Sequence, residues 1–247
     1  MLHLNTGTPA ADTIVTCGPP SGTTRVARQT GGTIAKRLRL SDIGGYSTHM
    51  ASGALRDIDI RKAAYRRLLV HAQACPDTLV IDELGLDHGA CRVDIAVING
   101  HIRGLEIKAD ADTLDRLPRQ VAAYGEVVDK ASLITAPRHI DAALAIIPDW
   151  WGVVVAQRGR RSGVTFHRIR EERVNRMVDS MMLARLLWRP EAITILRGVG
   201  VAERNLRAPR EALYQRLVAE LPKRILACKV RETLKARSAW RDRPPLS

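Results

Sequence analysis

Apolar positions are sparse and unpatterned through residue 52 and then fall into regular spacing. From Asp57 the spacing predicts a helix. Ile60, Ala63, Ala64, Leu68 and His71 recur three and four apart, with Arg61, Lys62, Arg66 and Arg67 elsewhere on the wheel. Leu79-Val80-Ile81 reads as a strand leading into Asp82-Glu83, and Val93 to Ile98 and Ile102 to Lys108 read as two more. Asp112 is placed to cap a helix running to about Val128 on the stripe Leu114, Leu117, Val121, Tyr124, Val128, with Pro118 kinking or restarting it. Ala131 to Thr135 and Trp151 to Ala156 read as strands around a helix from His139 to Ile147, and Gly163 to Ile169 adds an edge strand. The order βββαβαβ after an opening helix predicts a mixed α/β sheet flanked by helices.

The Asn99-Gly100 pair between two apolar runs signals a hairpin. With a strict two-residue loop, Ile98 faces His101, and Asp94 and Glu106 fall on opposite faces. A three-residue loop, Ile98-Asn99-Gly100 with Gly100 left-handed, puts Asp94 on the face of Glu106 and Lys108. It also gathers Val93, Ile95, Val97, Leu105 and Ile107 on the other face as one apolar surface. A bulge at Gly104 has the same effect. The apolar pattern therefore favours the parity that assembles a polar cluster.

Beyond Arg170 the pattern predicts helices only, over about 171–188, 190–197, 209–220 and 222–238, punctuated by Gly198, Gly200, Pro209 and Pro222. Three segments are expected: a disordered basic arm over 1–52, an α/β core over 53–170, and a basic helical C-terminal module over 171–247. Met50 is an alternative start. Charge sharpens this division. The chain carries a net +13; residues 53–167 balance at 15 basic and 15 acidic, whereas 168–247 hold 19 basic against 9 acidic. Such an excess suits a polyanion such as nucleic acid, although a solvated helical surface has the same composition. Arg204, Arg207, Arg210, Lys223, Arg224, Lys229 and Arg231 are the candidate phosphate contacts, with salt-sensitive and weakly sequence-selective binding expected. Four scattered cysteines exclude a zinc finger or disulfide framework, and no apolar run is long enough to cross a membrane. A soluble, cytoplasmic protein is expected.

The candidate chemistry lies in Glu106-Ile107-Lys108, twelve residues after Asp94. Side chains two apart on a strand point the same way. Hydrolysis of a phosphodiester calls for a cation that lowers the pKa of water and offsets charge on phosphoryl oxygens. Hard Mg²⁺ or Mn²⁺ takes oxygen donors. Asp94, Glu106 and the Ile107 carbonyl supply them, with Glu83 a candidate for one more, and Lys108 is placed to stabilise developing charge. His71 and His101 read as packed or solvated, and Trp150-Trp151 as a packing anchor more than a stacking platform for bases.

These residues resemble the PD-(D/E)xK nuclease superfamily. The resemblance spans about 55–156: Glu83 as upstream acid, Arg92 to Val97 as the second strand, Glu106-Ile107-Lys108 as the third, and Gln120-Val121-Ala122-Ala123-Tyr124 resembling the QxxxY motif of its RecB-type branch. It is nearest to small bacterial members. It implies a restriction-endonuclease-like fold and a metal-dependent DNA nuclease, in which Asp94 and Glu106 bind metal, Lys108 acts in catalysis, and Gln120 and Tyr124 orient the site or contact DNA. RNA as substrate, a protein partner and a homo-oligomer are also compatible. The rival reading is a non-catalytic DNA-binding or assembly subunit.

Overall fold

The computed structural model describes residues 54–159 and 163–237; the arm over 1–52 lies outside them. Six strands form one mixed sheet in sequential order. β1 (Leu79–Leu86), β2 (Cys91–Ile98) and β3 (Ile102–Lys108) are antiparallel, β4 (Lys130–Thr135) and β5 (Gly152–Arg158) continue parallel to β3, and β6 (Val164–Arg170) closes the far edge antiparallel. Alternation along the strands feeds two apolar layers. Ile95, Val97, Leu105, Ile107, Ile134 and Val154 meet helix α1 (Asp57–Arg67) through Ile60 and Ala64. Ala96, Ile98, Ile102, Leu133 and Val153 face the opposite layer, which holds α3 (Leu117–Val127) and α4 (Ile140–Ile146). A short α2 (Val70–Ala74) leads into β1.

The helices after β6 join that second layer. They are α5 (Ser180–Ala184), α6 (Arg189–Gly198), α7 (Glu203–Leu206), α8 (Arg210–Glu220) and α9 (Lys223–Ala236). Leu183, Leu196, Leu213, Leu217, Leu226 and Val230 belong to the same buried cluster as the sheet residues Val93 and Ala96. Among the described residues, no helix is long and apolar enough to cross a membrane.

Three local predictions are corrected. The hairpin loop is Asn99-Gly100-His101, because Ile98 pairs with Ile102. Both isoleucines are fully buried, so sliding Ile98 into the loop would expose it. The Asn99 side chain accepts from His101 N–H at 3.1 Å, and Gly100 has no positive φ. Second, Asp112 does not cap α3; its carboxylate accepts from Ala109 N–H at 2.7 Å, and α3 begins at Leu117 with Pro118 in its first turn, where a missing N–H costs nothing. Third, 171–179 is not helical. Its backbone is drawn to other elements instead: Arg173 N–H donates to Trp150 C=O, Asn175 N–H to Asp129 C=O and Asp179 N–H to Glu126 C=O, each at 2.8 Å. Helix α5 starts only at Ser180, where Asp179 accepts from Met181 and Met182 N–H.

Candidate functional site

The parity of the hairpin register brings Glu106 and Lys108 to the α3 side of β3, where α3 meets them. Glu106 is fully buried and is the hub. Its Oε1 accepts from Lys108 Nζ at 2.8 Å and from Gln120 Nε2, while its Oε2 accepts from Tyr124 Oη at 2.7 Å. Lys108 Nζ also donates to Gln120 Oε1 at 3.0 Å, closing a ring of three side chains. Gln120 and Tyr124, four apart, reach the same carboxylate because they lie one above the other on the helix. Tyr124 serves packing too: its ring lies 5.0 Å from that of Trp151, and burial pushes its phenol well above its ordinary range.

Asp94 enters differently from the expectation of a shared face. The β2–β3 ladder stops at Ile95 and Leu105. In place of the next rung, Asp94 Oδ2 accepts from Ile107 N–H at 2.7 Å. The N–H and C=O of one strand residue point to the same edge, so the Ile107 carbonyl also faces the Asp94 side. Val93 has crossed to the α3 layer whereas Ile95 lies on the α1 layer, and across β1 the same crossing occurs at Glu83, whose φ is +59°. Val93 is therefore corrected from the apolar face it was expected to share with Ile95.

Arg61, placed by the sequence pattern off the apolar stripe of α1, is buried behind these acids. Its Nη1 donates to Asp82 at 2.8 Å and to the Asp94 carbonyl at 2.7 Å, and its Nη2 lies 3.6 Å from Glu83 and 3.9 Å from Asp94 Oδ1. Burial alone would lower the guanidinium pKa, but Asp57, Asp82 and Asp94 raise it overall. The signal in the sequence was its spacing of three and seven residues from Ala64 and Leu68, one and two turns along the helix, at the edge of the apolar stripe. Burial, and then the charge of Glu106, push the Asp94 carboxyl up to about 7.

These groups line one cleft of about 580 Å³, with Asp94, Glu106, Ile107, Lys108 and Gln120 inside and Glu83, Arg92, Arg116 and Arg119 around them. Glu83 faces Arg61 and Arg92, the latter at 3.9 Å. Among the described residues no three His, Cys, Asp or Glu side chains form a metal-holding group. Asp94, Glu106 and the Ile107 carbonyl all offer oxygen, the donor type that a hard divalent cation takes.

The basic residues of the C-terminal helices are not gathered at this cleft. Arg204, Arg207, Arg210, Arg224 and Lys229 are exposed, Lys229 beside Glu232 at 3.3 Å. Lys223 donates to the Val178 carbonyl, Arg231 lies 3.9 Å from Asp129, and Arg237 is buried on Glu191. Sequence reasoning missed the cleft's own arginines, Arg116 and Arg119, which stand just ahead of Gln120.

Fold and site define a mixed α/β protein with a buried carboxylate–lysine centre opening into a cleft. The chain belongs to the family of bacteriophage P4 protein cII, whose model matches residues 55–242. It is 27% identical over 129 residues to Protein cII of Enterobacteria phage P4, a match covering 52% of this chain and 48% of that protein. The chain thus spans about half the length of the curated relative it matches. No solved structure matches. Membership in the phage family overturns the assignment to the PD-(D/E)xK superfamily, its RecB-type branch and its bacterial members, and with it the class labels taken from that superfamily. ExK and QxxxY report strand and helix periodicity meeting at one carboxylate, and spacing of that kind does not establish descent.

Proposed function

We propose, on the geometry of the cleft alone, that this protein hydrolyses phosphodiester bonds in DNA with Mg²⁺ or Mn²⁺ held by Asp94, Glu106 and the Ile107 carbonyl. The observation that carries this reading is the pairing of two desolvated carboxylates beside a buried lysine, with the Asp94 carboxyl pushed up to about 7. Two acids that repel each other out of water favour a cation between them. When bound, the cation lowers the pKa of water and offsets charge on the phosphate. Lys108 brings a fixed positive charge to the phosphoryl oxygens as negative charge grows on them. Gln120 holds Lys108 and Glu106 in register, Tyr124 locks the second Glu106 oxygen, and Arg61 fixes the Asp94 backbone. Glu83 contributes charge at the cleft wall.

A second reading, a non-catalytic DNA-binding or assembly subunit, draws on one observation. Lys108, Gln120 and Tyr124 already engage both oxygens of Glu106, so the ring is complete as a structural pin. Incubation of the purified protein with linear, circular, branched and single-stranded DNA separates the two. Cleavage with Mg²⁺ or Mn²⁺ that stops in EDTA, and falls about 100-fold or more in Lys108→Ala and Asp94→Ala, is expected. Cleavage indifferent to both substitutions rejects the site. Binding without cleavage of any substrate favours the second reading.

A further inference from the structure

The cleft is polar in a layered way. At its floor, Glu106 is fully buried and Lys108 only 4% exposed. Its other acids are engaged by the chain: Asp57 pairs with Arg61 at 3.2 Å, Glu83 lies 3.6 Å from Arg61 and 3.9 Å from Arg92, Asp94 accepts from Ile107 N–H, and Asp112 accepts from Ala109 N–H. At the rim stand Arg92, with 66% of its side chain exposed, and the exposed Arg116 and Arg119. Arg119 reaches across the cleft wall to the Ala90 carbonyl at 3.3 Å. Arg116 and Arg119 are three apart, so their like charges repel, and no acid occupies the first turn of α3 to offset them. The bond from Arg119 to Ala90 leaves that repulsion unrelieved. An anion at the rim would offset it.

We propose that this cleft takes a single strand of DNA, with Arg92, Arg116 and Arg119 gripping the phosphates that flank the one at its floor. The proposal rests on the hydrolytic reading of the same site. A volume of about 580 Å³ is of the size that holds one small ligand, and a nucleotide or two fit within it. A phosphate must reach groups almost out of solvent contact, and base pairing holds a strand's phosphates on the outside of a convex cylinder. A strand already unpaired enters without the cost of unstacking and unpairing, which amounts to a few kcal/mol per extruded nucleotide. Cations at the rim follow the sugar–phosphate chain without reading bases, so the preference is for strandedness and not for sequence.

The test is fluorescence anisotropy of the full chain with a labelled single-stranded oligonucleotide and with the blunt duplex of the same sequence. EDTA is present throughout, so that nothing is cut. Two double variants carry equal charge reversal: R116E/R119E at the rim, and R66E/R67E on exposed α1 positions outside this cleft. The wild type is expected to bind the single strand at least about tenfold more tightly than the duplex. R116E/R119E loses that preference, whereas R66E/R67E weakens both DNAs alike and keeps the ratio. Thermal melting checks the fold of each, and R92E repeats the test should the helix variant unfold. Equal affinity for the two DNAs, or equal losses in the two double variants, overturns the proposal. Strand preference without cleavage under Mg²⁺ rejects the hydrolytic reading instead, so the two failures are distinct.

Discussion

Asp94 acts as a piece of backbone as much as a side chain. Its carboxylate stands where the β2–β3 ladder lacks a rung, and that position takes it out of water beside Glu106. A measurable pH dependence follows. The carboxyl titrates near 3.8 when unfolded and near 7 in the fold, so between these values the folded protein holds the extra proton. Its contribution to stability is full below about pH 4 and is lost as pH rises through about 7. Urea unfolding of the metal-free protein from pH 4 to 8 should show that decline, and Asp94→Asn should flatten it. On the proposed reading, Mg²⁺ should flatten the decline, because a cation that displaces the proton binds more tightly as pH rises through 7. The sequence revealed Glu106, Lys108, Gln120 and Tyr124 because periods of two and four are fixed by strand and helix geometry. It hid Arg61, because a charged residue on a helix reads as solvent-facing unless its partners, here from β1 and β2, are already in place.

Among the elements, the hairpin and α3 are fitted to each other at Gly104. A methyl group there would lie 2.7 Å from Tyr124 Cε1, 3.0 Å from Tyr124 Cδ1 and 3.2 Å from Val93 Cγ1. Gly104→Ala should therefore cost about 1–3 kcal/mol in denaturant unfolding. It should also draw Tyr124 off Glu106, so the loss of any cleft activity should exceed what stability alone explains. The parity of the hairpin was legible, since even one slipped residue would turn the apolar side chains to the wrong face. The loop's placement was not, because Asn99-Gly100 looks like a turn centre with either Ile98 or His101 as third member. Burial of Ile98 against Ile102 decides it. The helix expected over 171–188 failed for a related reason. Residues with helical spacing still yield when partners elsewhere claim their N–H groups, as Trp150, Asp129 and Glu126 do here.

At the scale of the molecule, the C-terminal helices reach the cleft through a turn. Asp87, His88 and Gly89 have φ of +44°, +58° and +93° in succession. Residues without glycine's freedom adopt such angles only when their surroundings hold them. Arg185, at the end of α5, supplies part of that hold by lying 3.1 Å from Asp87 and 2.5 Å from Glu211 of α8, and the His88 ring stacks 6.1 Å from Tyr214. Gly89, Ala90, Cys91 and Arg92 then form one wall of the cleft. Arg185→Ala should cost less than about 1 kcal/mol in unfolding, since its ion pairs are partly exposed. It should nevertheless weaken single-strand binding in the anisotropy assay, and an unchanged affinity would separate the helices from the site. None of this linkage was visible in the sequence, because it joins Arg185 to Asp87, 98 residues apart, through charge, and His88 to Tyr214 through a ring contact, neither of which any periodicity announces.

The turn also limits how such a chain can change by exchange of parts. A crossover between β6 and α5 that brought in foreign helices would keep every residue of the acid cluster. It would still deliver a cleft with a loose wall. Inheritance of the two halves is thereby tied together, and a variant helical region has to arrive with its own answer to Asp87 and His88.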